Sequence, residues 1–230
     1  MNLSVKNVAE LLNVSDKTIY RMIKDETIPC FRVGGQWRFD RREIASWIED
    51  TREFHYHASK KGAHSDEEFI SVTGMLRRGG IYYNVAGNTK ETAIMSCLES
   101  IKTAIPQIDT KRLFDAIIER ENLCPTAIGN GIAFPHPRPF GEFTASLSSV
   151  ALCRLERQIP FGALDKENVD TLFYIFPKSE KRFLRIQAKL SRLLKDDQVI
   201  SAVKRNIPLD QLYDIFLSKE AEIFGPGNAE

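Results

Sequence analysis

The stretch GIAFPHPRP, residues 131–139, sets one histidine between two prolines directly after a short apolar run. Only four histidines occur in the 230 residues, and His136 is the only one beyond His64. Gly129-Asn130-Gly131 is a turn signal that feeds a brief strand, and Pro135 ends that strand because proline cannot continue a central ladder. Pro137 then restricts His136 to extended backbone conformations. The ring is held with few options at a strand edge, which suits a group that must point one way. An unperturbed imidazole, pKa about 6.5, is mostly neutral at pH 7 and already nucleophilic. It can attack phosphorus without a separate base. Such a site needs cations or backbone N–H groups for the transferring oxygens, and shelter from water. Arg120 and Arg138 are the basic residues nearest in sequence. The turn at Asn130, with the amides of Gly129 and Gly131, is a further candidate.

These residues need a frame, and the pattern around them supplies one. IYYNVAG (81–87) reads as a strand, and Asn88 with Glu91 three residues later resembles a capping box. That box opens a helix with Ala93, Ile94, Cys97, Leu98 and Ile101 on one face. Asp109 can cap a second helix, TKRLFDAIIER, with Leu113, Phe114, Ile117 and Ile118 turned inward. Strands are expected at GIAF, SLSSVALCRLE and DTLFYIF. Helices are expected at EKRFLRIQAKLSRLL, over 196–204 and at PLDQLYDIF. Strands and helices mix without clean βαβ alternation. The expected class is therefore α+β, a mixed sheet flanked by helices.

The sequence LFDAIIERENLCPTAIGNGIAFPHPRP resembles the phosphorylation motif of enzyme IIA components of the phosphoenolpyruvate phosphotransferase system. The relatives are the fructose–mannitol type and its nitrogen-regulatory branch. The resemblance implies that His136 accepts a phosphoryl group from the histidine phosphocarrier protein and that Arg120 of "ERE" lies at the active site. IPFGALDKENVDTLFYIF and the amphipathic LRIQAKLSRLL also match, so the likeness covers about residues 67–218. In two places the chain departs from the family. A second histidine usually precedes the leucine that opens the amphipathic helix, and here that position is Phe183. Phe183 also falls on an apolar stripe with Ile186, Leu190 and Leu194, so locally it reads as core. The PHPRP ending replaces the more usual small residue after the histidine.

The first fifty residues carry a different pattern. VKNVAELL puts Val5, Val8, Leu11 and Leu12 on one helical face. Asn13-Val14 breaks it, and Ser15 is a good N-cap for a second helix, DKTIYRMIKD. There Ile19, Met22 and Ile23 face inward, leaving Lys17, Thr18, Tyr20, Arg21 and Lys24 outside. Two short helices joined by a tight turn form a helix-turn-helix, whose second helix enters the DNA major groove. PCFRVGGQWRF then reads as a hairpin about Gly34-Gly35, with Arg32 and Arg38 on its arms. A third helix, RREIASWIED, supplies Ile44, Trp47 and Ile48 to a small core. From Lys17 to Arg42 seven basic residues face three acidic ones, the sign DNA binding requires. This segment, residues 3–48, resembles the excisionase/MerR-type winged helix-turn-helix. The resemblance implies double-stranded DNA as partner, and because so small a unit binds weakly alone, a homodimer over two half-sites is expected.

Between the two segments, TREFHYHASKKGAHSD (51–66) has few aliphatics and holds three of the four histidines. It reads as a linker joining a domain over 1–50 to one over 67–225. His55 and His57 form an H-x-H, but no supporting ligand spacing accompanies it, so no metal or cofactor is expected. With 32 Lys+Arg against 31 Asp+Glu the chain is not a wholesale polyanion binder, although a local basic surface remains. No apolar stretch approaches the ~20 residues of a membrane span. The polar-interrupted N-terminus is no secretory signal. Cys30, Cys97, Cys124 and Cys153 are widely spaced, which reads as free thiols in the cytoplasm. Three functions stay open: a DNA-binding regulator that senses phosphotransferase status, a true phosphocarrier, and a partner-binding domain without chemistry.

Overall fold

The structure is a computed structural model that describes residues 2–24, 27–45, 47–48, 71–140, 143–145 and 147–224. The expected linker, with His55, His57 and His64, lies outside the described residues. The chain divides into two compact units, residues 1–74 with 216–230 and residues 75–215. Residues 71–74 and 216–224, expected in the second domain, fall in the first unit. There the buried Glu220 carboxylate accepts hydrogen bonds from the backbone N–H of Val72 (2.7 Å) and Thr73 (3.2 Å).

In the first unit, β1 (Asn2–Leu3) leads to α1 (Val5–Leu12) and α2 (Asp16–Lys24). A hairpin of β2 (Phe31–Val33) and β3 (Gln36–Asp40) follows, then α3, helical at 41–45 and 47–48. Ser4 opens α1 through a capping box with Asn7, and Asn13 closes it in the left-handed region at φ 54°. The Ser15 hydroxyl accepts from the Thr18 N–H at 3.2 Å, so the expected cap of α2 is present. Val8, Ala9, Ile19, Ile23, Ile28, Cys30, Phe39 and Ile44 form the core, with Met22, Trp47 and Ile48 against it. Leu11 is a correction: it is exposed, and Ala9 takes the buried position. At 100° per residue Leu11 sits well off the arc shared by Val5, Val8, Ala9 and Leu12. The sequence also missed β1, which pairs antiparallel with β3 to give the order β1-β3-β2.

The second unit is built on a five-stranded mixed sheet. After α4 (Val72–Gly79), β4 (Ile81–Val85) runs parallel to β7 (Ser149–Ile159), which pairs antiparallel with β8 (Val169–Phe176). The short β6 (Ile132–Ala133) lies parallel to β8 and antiparallel to β5 (Ala127–Gly129), giving the order β4-β7-β8-β6-β5. Every residue of β8 is buried, as a central strand covered on both faces must be. Helices α5 (Lys90–Ile101), α6 (Thr110–Leu123), α7 (Glu180–Leu193), α8 (Asp197–Val203) and α9 (Leu209–Phe224) complete the element order. All five predicted inward residues of α5 are buried, and Asp109 caps α6 as expected. The cap of α5 differs from the expectation. Thr89 and Thr92 form the capping box, one residue later than Asn88 and Glu91: the Thr89 hydroxyl accepts from the Thr92 N–H and the Thr92 hydroxyl accepts from the Thr89 N–H. Among the described residues no helix is long and apolar enough to cross a membrane, and no three His, Cys, Asp or Glu side chains cluster as metal ligands.

Gly79, the last residue of α4, shows how closely helix and sheet approach. A Cβ there would meet the Val150 carbonyl oxygen at 2.2 Å. Gly79→Ala is expected to destabilise the protein by about 1–3 kcal/mol, the usual range for overpacking. A lower denaturant midpoint at unchanged m-value would record it.

Candidate functional site

His136 lies just beyond β6, and its position follows from the strand pairings. β5 and β6 form a hairpin closed by Gly129, Asn130 and Gly131, all at positive φ. At the open end the Phe134 N–H donates to the Thr126 carbonyl at 3.2 Å. Pro135 follows, and the imidazole folds back so that Nδ1 stands 2.7 Å from the Phe134 carbonyl oxygen. A carbonyl only accepts, so Nδ1 carries the proton. In the neutral ring Nε2 is then left with its lone pair free to react. Phe134 itself is buried, its ring stacked on Phe173 at 5.6 Å, so the carbonyl that selects the tautomer is firmly held.

Burial lowers the His136 pKa below its ordinary value. The Phe134 hydrogen bond opposes this, and the positive charges of Arg120 and Arg138 reinforce it. The two arginines named from sequence are thus both within electrostatic reach of the ring. Arg120, near the end of α6, donates from Nη1 to the Cys124 carbonyl at 2.6 Å, which tethers the guanidinium beside the Cys124–Thr126 segment. Arg138 is exposed two residues after the histidine. Asn130 belongs to the turn. It occupies the closed end of the hairpin, whereas His136 lies beyond the open end, with extended chain at ~3.3 Å per residue between them. The neighbours of that turn are Lys204 and Asp170. Lys204 donates to the Gly131 carbonyl at 3.1 Å and to Asp170 at 2.5 Å. The turn amides suggested for phosphate contact are at that same distant end.

Two aromatic residues stand beside the ring. Phe183 is buried on the expected apolar stripe of α7, and its ring centroid is also 4.9 Å from that of His136. Phe140 stacks nearly parallel to the imidazole, at 5.9 Å and 8°, and lies 4.3 Å from Phe183. Phe183 is therefore both core and site. Sequence reasoning missed Phe140, for which the spacing H-x-x-x-F gave no periodic signal.

In the N-terminal unit, Lys17, Tyr20, Arg21 and Lys24 line one exposed face of α2 at helical spacing. The Ser15 and Thr18 hydroxyls bond to each other at 2.9 Å, so both are engaged in the cap. In the hairpin, Arg32 opposes Trp37 and Arg38 opposes Phe31. Directly opposed residues share a face, so the two arginines project from opposite faces of the ribbon. The Arg32 guanidinium rests 5.0 Å from the Trp37 ring centroid, and Arg38 donates to the Gln36 side chain at 2.6 Å.

The family model described as "Phosphoenolpyruvate-dependent sugar phosphotransferase system, EIIA 2" matches residues 75–219. The chain belongs to the EIIA 2 family. A helix-turn-helix domain model matches residues 3–52, ahead of the EIIA 2 region. The "Nitrogen regulatory protein" of Escherichia coli K12 is 32% identical over 160 residues, covering 68% of this chain and 95% of that protein. Its namesake in Pseudomonas aeruginosa is 26% identical over 148 residues, covering 64% of this chain and 94% of the relative. The solved nitrogen regulatory protein IIA-Ntr of Neisseria meningitidis shares the fold, with a TM-score of 0.54 at 18% identity over 63% of this chain and 98% of that one.

The depressed pKa yields a direct expectation. The His136 Hε1 resonance should titrate at a lower pH than a free histidine, and Arg120→Ala should move the midpoint upward. In linkage terms the unfolded chain takes the proton first. The contribution of His136 to stability is thus intact above the unfolded histidine pKa and lost as the pH falls through the folded one. A midpoint at or above the free-histidine value would contradict this account.

Proposed function

We propose that the chain is a cytoplasmic DNA-binding transcriptional regulator whose EIIA 2 domain receives a phosphoryl group on Nε2 of His136. The observation that carries the reading is an imidazole whose Nδ1 is occupied by the Phe134 carbonyl, which leaves Nε2 to react; the charges of Arg120 and Arg138 favour its neutral form. The donor is the phosphorylated histidine phosphocarrier protein. In the transfer the donor's P–N bond breaks, with its electron pair returning to the donor imidazole, as the P–Nε2 bond forms. No base is needed, because Nε2 attacks from its own lone pair. The two guanidinium groups are suited to the charge on the transferring oxygens. No cofactor enters the step.

The product carries up to about two negative charges where none stood before, a local electrostatic change of the kind that drives regulatory switches. In this reading residues 1–50 serve DNA and residues 67–225 the phosphoryl signal, with 51–66 between them. On the DNA side Lys17, Tyr20 and Arg21 contact the major groove, while Arg32 and Arg38 of the hairpin contact phosphates. Ser15 and Thr18 position the start of the recognition helix. The protein binds double-stranded DNA as a homodimer. A relay role, passing the group onward to a transporter subunit, is disfavoured by the aromatic ring of Phe183 where a second imidazole would assist.

Incubation with phosphoenolpyruvate, the general phosphotransferase enzyme and the phosphocarrier should add one acid-labile phosphoryl group, detected by intact mass. His136→Ala should abolish that gain; a gain that survives the substitution would sink the assignment. Separately, Arg21→Ala should weaken DNA binding and flatten its salt dependence, measured by fluorescence anisotropy across a salt series. Unchanged binding would remove α2 from the DNA contact.

A further inference from the structure

The fold also holds a buried carboxyl side chain that the phosphoryl chemistry above does not use. Glu121 occupies α6 one residue after Arg120, and its side chain is fully buried. It extends the inward stripe of Leu113 and Ile117 by one more turn, a position that packing alone would fill with an apolar residue. Its carboxylate accepts from the Thr126 N–H at 3.2 Å and from the Thr126 hydroxyl, and it pairs with Lys90 Nζ at 3.6 Å. Lys90, at the start of α5, lies 4.9 Å from the Phe161 ring centroid. A buried ion pair is weak grounds for stability by itself, since desolvation offsets the attraction. What distinguishes this one is the segment it grips.

We propose that Glu121 is a positioning residue that holds both halves of the phosphoryl-acceptor site through Thr126. Two branches leave the gripped segment. In one, the Thr126 carbonyl receives the Phe134 N–H, and the Phe134 carbonyl receives Nδ1–H of His136. In the other, the Cys124 carbonyl receives Arg120 Nη1. One carboxylate thus fixes the strand that selects the imidazole tautomer and the carbonyl that tethers the guanidinium. Lys90 pairs with one oxygen of that carboxylate while the two oxygens between them take both Thr126 donors. The inference rests on the reading of His136 as acceptor for its kinetic consequence, but the tautomer claim stands on the unphosphorylated protein.

Glu121→Gln replaces one acceptor oxygen with an amide NH2, which leaves a buried donor facing a donor. Thr126→Val removes only the hydroxyl, and Thr126→Ser restores it. In full-length, 15N-labelled protein, long-range 1H–15N correlation of the imidazole reads the tautomer, with His136→Ala giving the assignment. Wild type and Thr126→Ser should show the Nδ1-protonated pattern. Glu121→Gln and Thr126→Val should shift toward the tautomer mixture of free histidine. Their initial rate of phosphoryl acceptance should fall about tenfold or more, the scale expected when reacting groups are slightly misplaced. A wild-type tautomer pattern in Glu121→Gln overturns the proposal. Should that variant fail to fold, Thr126→Val with the tautomer pattern and rate of Thr126→Ser overturns it equally. If wild type accepts no phosphoryl group, the acceptor reading fails while the tautomer comparison still decides the positioning claim.

Discussion

The hydrogen bond from Nδ1 of His136 to the Phe134 carbonyl depends on a strand only two residues long. A strand of that length has little stability of its own. β6 is held because it lies between β5 and the fully buried β8, and because its entry is pinned by backbone and side-chain hydrogen bonds. The Gly131 carbonyl accepts from the backbone N–H groups of Asp170 and Thr171 and from Lys204. At the exit, Phe134 bonds to Thr126 and stacks on Phe173. Rigidity at both ends lets a single carbonyl decide which nitrogen of the ring is available. Without that constraint the imidazole would exchange tautomers, and its reactive atom would be reactive only part of the time.

The aromatic surroundings bear on what the site can do once occupied. In the ring trio of His136, Phe140 and Phe183, no neighbouring side chain of the trio can donate a proton or a hydrogen bond to an incoming phosphate. Of the side chains described above around the ring, Arg120 and Arg138 carry the positive charge, one tethered and one exposed. Apolar walls disfavour the imidazolium and exclude water, and both effects favour a neutral nucleophile. They do not help the group leave. The arrangement is one-sided: it favours attack by the ring and offers no second imidazole beside it.

Much of this was legible in the sequence, for identifiable reasons. Amphipathic helices such as α5 and α7 declare their buried faces through spacing, and the Gly34-Gly35 hairpin declares itself through its turn residues. His136 stood out because prolines flank it. The parts that stayed hidden depend on long-range pairing. β1 and β5 are too short for any period, and α4 mixes glycine and arginine in a way that masks its helix. Phe140 reaches the ring through the irregular chain after Pro139, which no local pattern reports. Glu121 left a faint trace, a carboxylate in line with Leu113 and Ile117, whose meaning appears only when Thr126 and Lys90 come to meet it. Asn130 sits at the closed end of the β5–β6 hairpin, a strand's length of chain away from the histidine despite its nearness in sequence.

That distance says something about the string GNGIAFPH itself. A motif around a reactive residue is easily taken as a list of groups that meet the substrate. Here its first three letters perform a mechanical task instead. Gly129, Asn130 and Gly131 all adopt left-handed backbone angles, a run of conformations that side chains larger than these resist. They reverse the chain so that a brief strand can slot beside β8 and deliver the histidine at its far end. The motif is thus a pivot joined to a payload, and a change in the pivot would be felt as lost folding rather than as altered chemistry.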